Sequence, residues 1–308
     1  MKYFFPQIED VSLEPQVSAE VYFRGANATG LIEKHLDTEK IAFLFFVNGE
    51  PRAAYLLQNR QSKLISLAEF SALNEENIRV TNLPDVAGRL TMLALESQPE
   101  NRSAIDSDQV WEKQCNQWRQ ERWNGLVEVK SRNVHGFILF WEGEIQKSDL
   151  IFSTSEGFVR ELPSLSGASD PVWQMTAYSH TASTQSYQCT LLRQAAMHWS
   201  RAILSRYQEM VGQKLLQMMD RELNRQIQPW RWNIVLDGKD MLDLHFFPYL
   251  KDAAHAYRAL FMAMGAQMDF VIGNHLTQKL LSETFEQVYP DERVVLQTQR
   301  LVPAAFSE

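Results

Sequence analysis

The sequence predicts an α+β fold in which two related, small antiparallel β-rich modules are followed by a mainly helical C-terminal region. Three observations predict it: a strand pattern that occurs twice in the first half, a hydrophobic period that changes from two to about three and a half after Gln188, and a globular composition. Hydrophobic residues make up 45% of the 308 residues and charged residues 22%, so the chain can bury a sizeable core. This length predicts more than one domain, and we place the domains at residues 1–100, 101–188 and 189–308.

The first half contains a sequence repeat. In both copies a Gly-Leu-(Ile or Val)-Glu segment is followed by an apolar, phenylalanine-rich run that ends at a Gly-Glu pair. The copies begin at Gly30 and Gly125, and their turn glycines are Gly49 and Gly143. We interpret each copy as strand, turn, strand, tight turn, strand, because a two-residue hairpin loop needs the positive φ that glycine adopts readily. The alternative is that two unrelated hairpins share this pattern by chance.

Other segments of the first half predict helices and loops. Apolar residues recur at helical spacing in residues 86–95 and again in residues 108–119. The polar, proline-containing residues 97–103 between them predict an exposed linker at a module boundary. Residues 164–171 and 179–186 are rich in small and polar side chains, which predicts surface loops.

The C-terminal region begins with a predicted long amphipathic helix. Between residues 192 and 223, apolar side chains recur at spacings of three to five residues. Pro229 must terminate this helix, because proline lacks an amide hydrogen and its ring clashes with the preceding turn.

The rest of the C-terminal region predicts a short β-hairpin and two helices. Residues 232–239 form a strand that reaches a turn, and residues 241–247 form its antiparallel return. Helices are predicted at 250–268 and 273–288, with a break near residues 269–272.

Charge, cysteines and hydropathy exclude several classes of protein. The formal net charge is −8 and no stretch is strongly basic, so we do not expect a nucleic-acid partner. Cys115 and Cys189 lack zinc-ligand spacing and are expected to be reduced thiols. No signal peptide is predicted, and the longest apolar run, residues 41–47, is far below the roughly 18 residues that indicate a membrane span. We therefore expect a cytoplasmic protein.

The sequence contains no recognisable catalytic or cofactor-binding motif. Its seven histidines form neither HxH nor HExxH, and its glycines form no nucleotide-binding loop. We therefore predict no catalytic residue, no cofactor and no metal. His198 lies beside Trp199 on the predicted long helix, where it is interpreted as a partly exposed helix histidine in preference to a phosphoacceptor.

Large apolar side chains of the helical region define one candidate binding site. Trp199, Phe261 and Met264 are predicted either to enclose a small molecule in an apolar pocket or to form an interface. Ordinary core packing is the alternative interpretation of these residues.

The repeated unit resembles the small β-rich modules of the PatA N-terminal type, also called PATAN-like domains. Two sets of residues carry the resemblance, namely Gly30, Leu31, Phe46 and Gly49 in the first copy and Gly125, Leu126, Phe140 and Gly143 in the second. Such modules occur in bacterial signalling proteins, some of them attached to receiver domains and linked to surface motility. No receiver-domain pattern is visible in this sequence, so the resemblance implies a regulatory role without direct phosphotransfer.

These observations lead to three functional hypotheses. The first is a non-enzymatic bacterial regulatory or scaffolding protein in which the β-rich modules bind an unidentified protein partner and the helical region either packs internally or forms a homodimer. The second is a small-molecule sensor with its apolar pocket in that region. The third is a hydrolase of unfamiliar type, which would require a buried carboxylate or histidine pair in a cleft.

Overall fold

The structure is a computed structural model that describes residues 19–37, 40–59, 61–73, 78–162, 173–180 and 182–302. It confirms the α+β architecture, with antiparallel sheets in the N-terminal region followed by a helical C-terminal region. The chain divides into two compact units, the first ending at Thr184 and the second beginning at Gln185. Both β-rich modules therefore lie in the first unit, and the second unit starts close to the predicted boundary at residue 188.

The first module contains a sheet of five strands within the described residues. The strands are β1 Gly30–His35, β2 Lys40–Val47, β3 Glu50–Gln58, β4 Gln61–Ile65 and β5 Ile78–Asn82. Their spatial order is β4-β3-β2-β1-β5, and all neighbours are antiparallel. The helices of this module are α1 Ala19–Ala26, α2 Leu67–Ser71 and α3 Asp85–Glu96. Helix α3 covers the predicted helix at residues 86–95.

The second module contains a sheet of similar order, again counted over the described residues. Its strands are β6 Gln98–Ile105, β7 Gly125–Lys130, β8 His135–Trp141, β9 Glu144–Thr154, β10 Gly157–Val159 and β11 Trp173–Ser179. They lie in the order β10-β9-β8-β7-β11-β6. Helix α4, Asp108–Glu121, confirms the helix predicted at 108–119. The loop predicted at 164–171 lies outside the described residues, and the one predicted at 179–186 is shorter, because α5, Gln185–Val211, already begins at Gln185.

The linker predicted at residues 97–103 is wrong, because these residues belong largely to strand β6. This strand pairs with β11 at the edge of the second sheet. Its described side chains are exposed except for Ile105, which is buried. An exposed edge strand needs no alternation of apolar and polar residues, so its composition resembles that of a linker.

The two predicted hairpins are confirmed, and their registers correspond. Gly30 pairs with Phe46 across β1 and β2, and Gly125 pairs with Phe140 across β7 and β8. The hairpin loops have positive φ at both central residues, 51° and 78° at Asn48 and Gly49 and 51° and 77° at Glu142 and Gly143. Such a loop matches the right-handed twist of the flanking strands.

One face of each sheet packs against the helix that precedes its hairpin in the chain. In the first module Phe23 of α1 stacks on Phe46 with ring centroids 4.6 Å apart. In the second module Trp118 of α4 lies 4.7 Å from Phe140. Large aromatic rings bury much apolar surface, so these contacts anchor each hairpin to its helix.

Helix α3 connects the two modules and is buried along residues 86–95. It packs against β4 of the first sheet and against β7, β8 and β9 of the second. Its Arg89 forms a buried ion pair with Asp149 of β9, with Nη2 and Oδ1 2.9 Å apart, and also donates to the carbonyl of Ser148. The two sheets therefore share one helix as part of their interior.

Over residues 185–302, the second unit consists of helices and one β-hairpin. Its helices are α5, α6 Gln213–Ile227, α7 Leu250–Ile272, α8 Asn274–Phe285 and α9 Pro290–Thr298, with a short 3-10 helix at Gln228–Trp230. The hairpin strands are β12 Ile234–Asp237 and β13 Asp240–Asp243, which confirms the predicted hairpin over a shorter length. Helix α9 was not predicted. No helix of the described chain is both long and apolar enough to cross a membrane.

Two predictions about helix ends are wrong. The single long helix is two helices, α5 and α6, separated at Gly212, where φ is +82°. The break predicted at residues 269–272 lies instead at Gly273, with φ of +83°. At both positions a glycine interrupts an apolar pattern that continues beyond it, because glycine adopts positive φ without a steric penalty.

Candidate functional site

The first unit contains a cleft of about 570 Å³ between the two sheets. Its first wall is formed by residues of β2, β3 and β4 and by the C-terminal end of α3, namely Ile41, Leu57, Ser62, Ala94, Leu95 and Ser97. Its second wall is formed by β6, β7 and β11 of the second sheet, namely Pro99, Arg102, Ser103, Ala104, Glu128, Lys130, Gln174, Met175, Thr176 and Tyr178. The cleft thus joins an apolar wall to a polar one.

Strand geometry explains why polar side chains collect on the second wall. Val127 and Val129 of β7 point into the core that contains α4, so Glu128 and Lys130 point to the opposite face. In the adjacent strands, Thr176 pairs with Glu128 on one side and with Arg102 on the other. One face of three neighbouring strands therefore presents the charged side chains together.

A hydrogen-bonded network surrounds Glu128. Its Oε1 accepts a hydrogen bond from Nε2 of His135 at 2.7 Å, and its Oε2 accepts one from the hydroxyl of Tyr178, also at 2.7 Å. His135 lies on β8 and is only 1% exposed. Since a carboxylate can only accept, Nε2 carries the proton of the His135 ring.

Burial and hydrogen bonding fix the charge states of this network. Burial opposes the ionisation of Glu128, but the hydrogen bonds from His135 and Tyr178 outweigh it and hold the pKa of this carboxyl at about 2. Burial lowers the pKa of His135, and burial together with the Glu128 charge raises the pKa of Tyr178. At neutral pH the network is a fixed carboxylate held by a neutral imidazole and a neutral phenol.

Two cationic side chains of the cleft wall are not held by hydrogen bonds of this kind. Within the described part of the chain, neither Arg102 nor Lys130 forms a hydrogen bond or an ion pair. The carboxylate of Glu128 already accepts hydrogen bonds from His135 and Tyr178. The charge of Lys130 helps to lower the pKa of Glu128 and that of Arg102 acts on Tyr178, but neither side chain is held in a direct contact, so both can bind an anion that enters the cleft.

At the rim of the cleft, Ser97 contacts a half-buried histidine. Its Oγ lies 3.2 Å from Nδ1 of His180, which follows β11. Burial lowers the pKa of His180 to about 4, so this ring is neutral at physiological pH.

The predicted site residues lie elsewhere. Trp199, Phe261 and Met264 are buried in the core of the second unit, where the rings of Trp199 and Phe261 are 4.6 Å apart. Trp199 also donates from Nε1 to Oγ1 of Thr284. The three side chains fill space by packing together, and they are not among the residues that line the cleft.

The four glycines of the repeat lie where the backbone packs tightly or turns. A Cβ atom on Gly30 would lie 2.1 Å from the ring of Phe23, and one on Gly125 would lie 2.0 Å from the ring of Trp123. Gly49 and Gly143 occupy the hairpin loops described above. Gly30, Gly49 and Gly143 therefore allow close packing of a hairpin on a helix, and Gly125 leaves room for the ring of Trp123, which follows α4.

Sequence reasoning missed the cleft, although β7 and β11 carried a signal for it. Both strands alternate between apolar residues and charged or polar ones, as in Glu128 and Lys130, which indicates a sheet with one core face and one polar face. The pattern does not show that a second sheet covers the polar face.

Over the described ranges, no group of three or more His, Cys, Asp or Glu side chains is arranged to hold a metal ion. Comparisons with protein-family models, with curated proteins and with solved structures find no match to this chain. The geometry of the cleft is therefore the basis for a functional proposal.

Proposed function

We propose that this chain is a non-enzymatic regulatory protein that binds a small anionic molecule in the cleft between its two sheets. The proposal rests on one observation. Arg102 and Lys130 lie on the wall of a concave site of about 570 Å³, and within the described residues neither forms a hydrogen bond or an ion pair. Small-molecule sites typically measure about 300 to 1,000 Å³ and combine apolar walls with a few polar groups. This is the sensing hypothesis, with its site moved from the helical unit to the sheets.

The charge states of the cleft favour binding over catalysis. A general acid or base works best with a pKa near the operating pH. The pKa of Glu128 is about 2 and that of Tyr178 is raised, so both pKa values are far from pH 7. Cys115 and Cys189 are free thiols, which supports the cytoplasmic location that belongs to this proposal.

Native mass spectrometry of the gently purified chain tests the proposal, followed by titration calorimetry with the small carboxylates and phosphates that it identifies. Replacing Arg102 or Lys130 by Met should weaken binding by at least about tenfold, because each removes a charge-assisted contact worth about 1.5 to 3 kcal/mol. Ala104→Trp should block the cleft sterically, since Ala104 is an exposed residue of its wall.

Arg132→Met is the matched control, because Arg132 is exposed, follows β7 and does not line the cleft. It should bind as the wild type does. If the wild-type chain carries no small molecule and binds no anion of this panel, or if Arg132→Met weakens binding as much as Lys130→Met, the cleft is not an anion site.

We propose in addition that the two β-rich modules are copies of one ancestral module of the PatA N-terminal type. The common strand order, the pairing of Gly30 with Phe46 and of Gly125 with Phe140, and the matching loop geometry support this proposal. A solved structure of a PatA N-terminal module tests it. A different strand order in that module would remove the relationship.

A second candidate function, binding to a protein partner, is favoured by a different observation. Helix α7 presents Met262, Ala266 and Phe270 on one exposed face, and the side chains of Met262 and Phe270 are 70% and 90% exposed. Exposed apolar surface of this kind marks interaction sites. We propose that the partner is a second copy of the chain, because antiparallel pairing about Ala266 would place Met262 of one copy against Phe270 of the other.

Light scattering at micromolar concentrations tests this dimer. Phe270→Asp should yield a monomer if the wild type is a dimer, whereas Val294→Asp, at a 62% exposed position of α9, should leave the dimer intact. A monomeric wild type removes the proposal.

A further inference from the structure

The second unit contains a histidine that is clamped by a buried carboxylate. His198 lies on α5 and Glu292 lies in the first turn of α9. Nδ1 of His198 is 2.8 Å from Oε1 of Glu292 and 2.9 Å from Oε2. The side chain of Glu292 is 2% exposed, whereas that of His198 is 22% exposed. The carboxylate is therefore internal, and the imidazole lies between it and the surface.

This contact determines the chemistry of the ring. A carboxylate only accepts hydrogen bonds, so Nδ1 carries the proton and Nε2 of the neutral ring carries the lone pair. Nε2 has no hydrogen-bond partner among the residues that the structure describes, and the only ring that His198 contacts there is that of Tyr289. Nε2 is thus a nucleophilic nitrogen, and the Glu292 carboxylate holds the ring from its opposite side.

We infer that Nε2 of His198 is a phosphoryl-acceptor atom. The lone pair of Nε2 attacks the phosphorus of a P–N phosphoryl donor, the new N–P bond forms and the donor P–N bond breaks, and the donor amine leaves with its proton. The ring becomes cationic because Nδ1 keeps its hydrogen, and the charge of Glu292 compensates for it. This inference concerns the second unit and does not depend on the proposed ligand of the cleft.

Glu292 is a positioning residue in this step, since it acts through the imidazole. Its carboxylate selects the reactive tautomer and stabilises the positive charge that the ring gains on phosphorylation. Because α5 and α9 pack against each other and the two side chains are hydrogen-bonded, the pair is oriented before any donor arrives.

Two other histidines serve as internal controls. His255 on α7 and His275 on α8 are exposed, and neither forms a hydrogen bond or an ion pair in the described part of the chain. On accessibility alone, they should react with a small phosphoryl donor faster than His198. If the carboxylate activates the ring, the order is reversed.

Incubation of the full chain with phosphoramidate, followed by peptide mapping under alkaline conditions, tests the inference. We expect His198 to be phosphorylated at least about tenfold faster than His255 or His275, the factor that about 1.4 kcal/mol of transition-state stabilisation gives. Glu292→Gln should slow labelling of His198 by a similar factor and leave His255 and His275 unchanged, and ³¹P NMR should assign the adduct to Nε2.

Circular dichroism shows whether Glu292→Gln folds. If it does not, the relative labelling of the three histidines in the wild-type chain still tests the inference. Labelling that follows exposure, with His255 and His275 ahead of His198, overturns the inference. So does a folded Glu292→Gln variant in which His198 reacts at the wild-type rate.

Discussion

At the scale of single residues, Gly49 and Gly143 connect each hairpin to the helix before it. The amide of Gly49 donates to the carbonyl of Ala28, and that of Gly143 donates to the carbonyl of Trp123. A Cβ atom on Gly49 would lie 2.9 Å from the carbonyl oxygen of Phe23, and one on Gly143 would lie 2.5 Å from Cα of Arg119. These glycines therefore provide both the turn and the close approach of two backbones.

We predict that Gly49→Ala and Gly143→Ala both destabilise the first unit. Positive φ alone costs a non-glycine residue about 1 to 2 kcal/mol, and the collision with helix backbone adds to this. Gly143→Ala should cost more, since its Cβ would meet backbone at the shorter distance. Urea unfolding measures both changes in the free energy of unfolding.

Gly25→Ala is the matched control for these variants. Gly25 lies within α1, and a Cβ atom there would meet nothing within 4 Å. Alanine favours a helix over glycine by about 0.5 to 1 kcal/mol, so this variant should be neutral or more stable. Destabilisation of equal size at all three positions would contradict the close-approach explanation.

His180 should make the stability of the first unit depend on pH. Its pKa is lowered from the ordinary 6.5 to about 4 by burial, so the unfolded chain binds this proton more readily than the folded chain. The free energy of unfolding therefore falls as the pH decreases from about 6.5 to 4, at up to about 1.4 kcal/mol per pH unit. His180→Gln should reduce that slope, as measured by urea unfolding at a series of pH values, whereas His275→Gln at an exposed position should not.

At the scale of secondary-structure elements, prediction from sequence was good where apolar patterns were regular. The paired hairpins, α3, α4 and the β12–β13 hairpin all follow from strand or helix periodicity. The edge strand β6 was missed because its exposed residues carry no periodic signal, and the break at Gly212 was missed because apolar spacing continues across it.

The candidate sites were less predictable than the elements. The cleft forms where strands distant in sequence face each other, and the contact between His198 and Glu292 joins α5 to α9. No local pattern encodes either juxtaposition. The sequence of each strand shows that one of its faces is polar. It does not show which strands lie on the other side of the cleft.

The ion pair between α3 and β9 leads to a prediction about the contact between modules. Arg89 is 6% exposed and Asp149 is fully buried, so Asp149→Asn leaves a buried guanidinium without its counter-charge. Breaking a buried pair in this way costs about 3 to 5 kcal/mol. Urea unfolding should show a loss of this size.

The exposed pair of Arg119 and Glu144 is the control, with side chains 54% and 56% exposed. Glu144→Gln should change the free energy of unfolding far less than Asp149→Asn does, because water already solvates both charges. The double variant Arg89→Met with Asp149→Leu should recover much of the lost stability, because an apolar pair carries no desolvation penalty. A small effect of Asp149→Asn would mean that water reaches the guanidinium.

At the scale of the whole molecule, the cores define which fragments can fold. Among the described residues, the members of the second unit's core all lie between positions 191 and 302, so a fragment of residues 185–308 should fold and unfold cooperatively. A fragment that ends at Ser97 should aggregate, since it lacks the sheet against which α3 packs. Circular dichroism with thermal melting checks both expectations, and a folded fragment 1–97 would show that the first module is independent.

The position of α3 also has a consequence for the growing polypeptide. The helix emerges from the ribosome before β7, β8 and β9, the strands that later enclose it, have followed it out. At about 5 to 20 residues per second, its apolar surface stays uncovered for several seconds. We therefore expect this helix to be a binding segment for chaperones on the nascent chain, and codon changes that delay translation after it should lower the yield of folded protein.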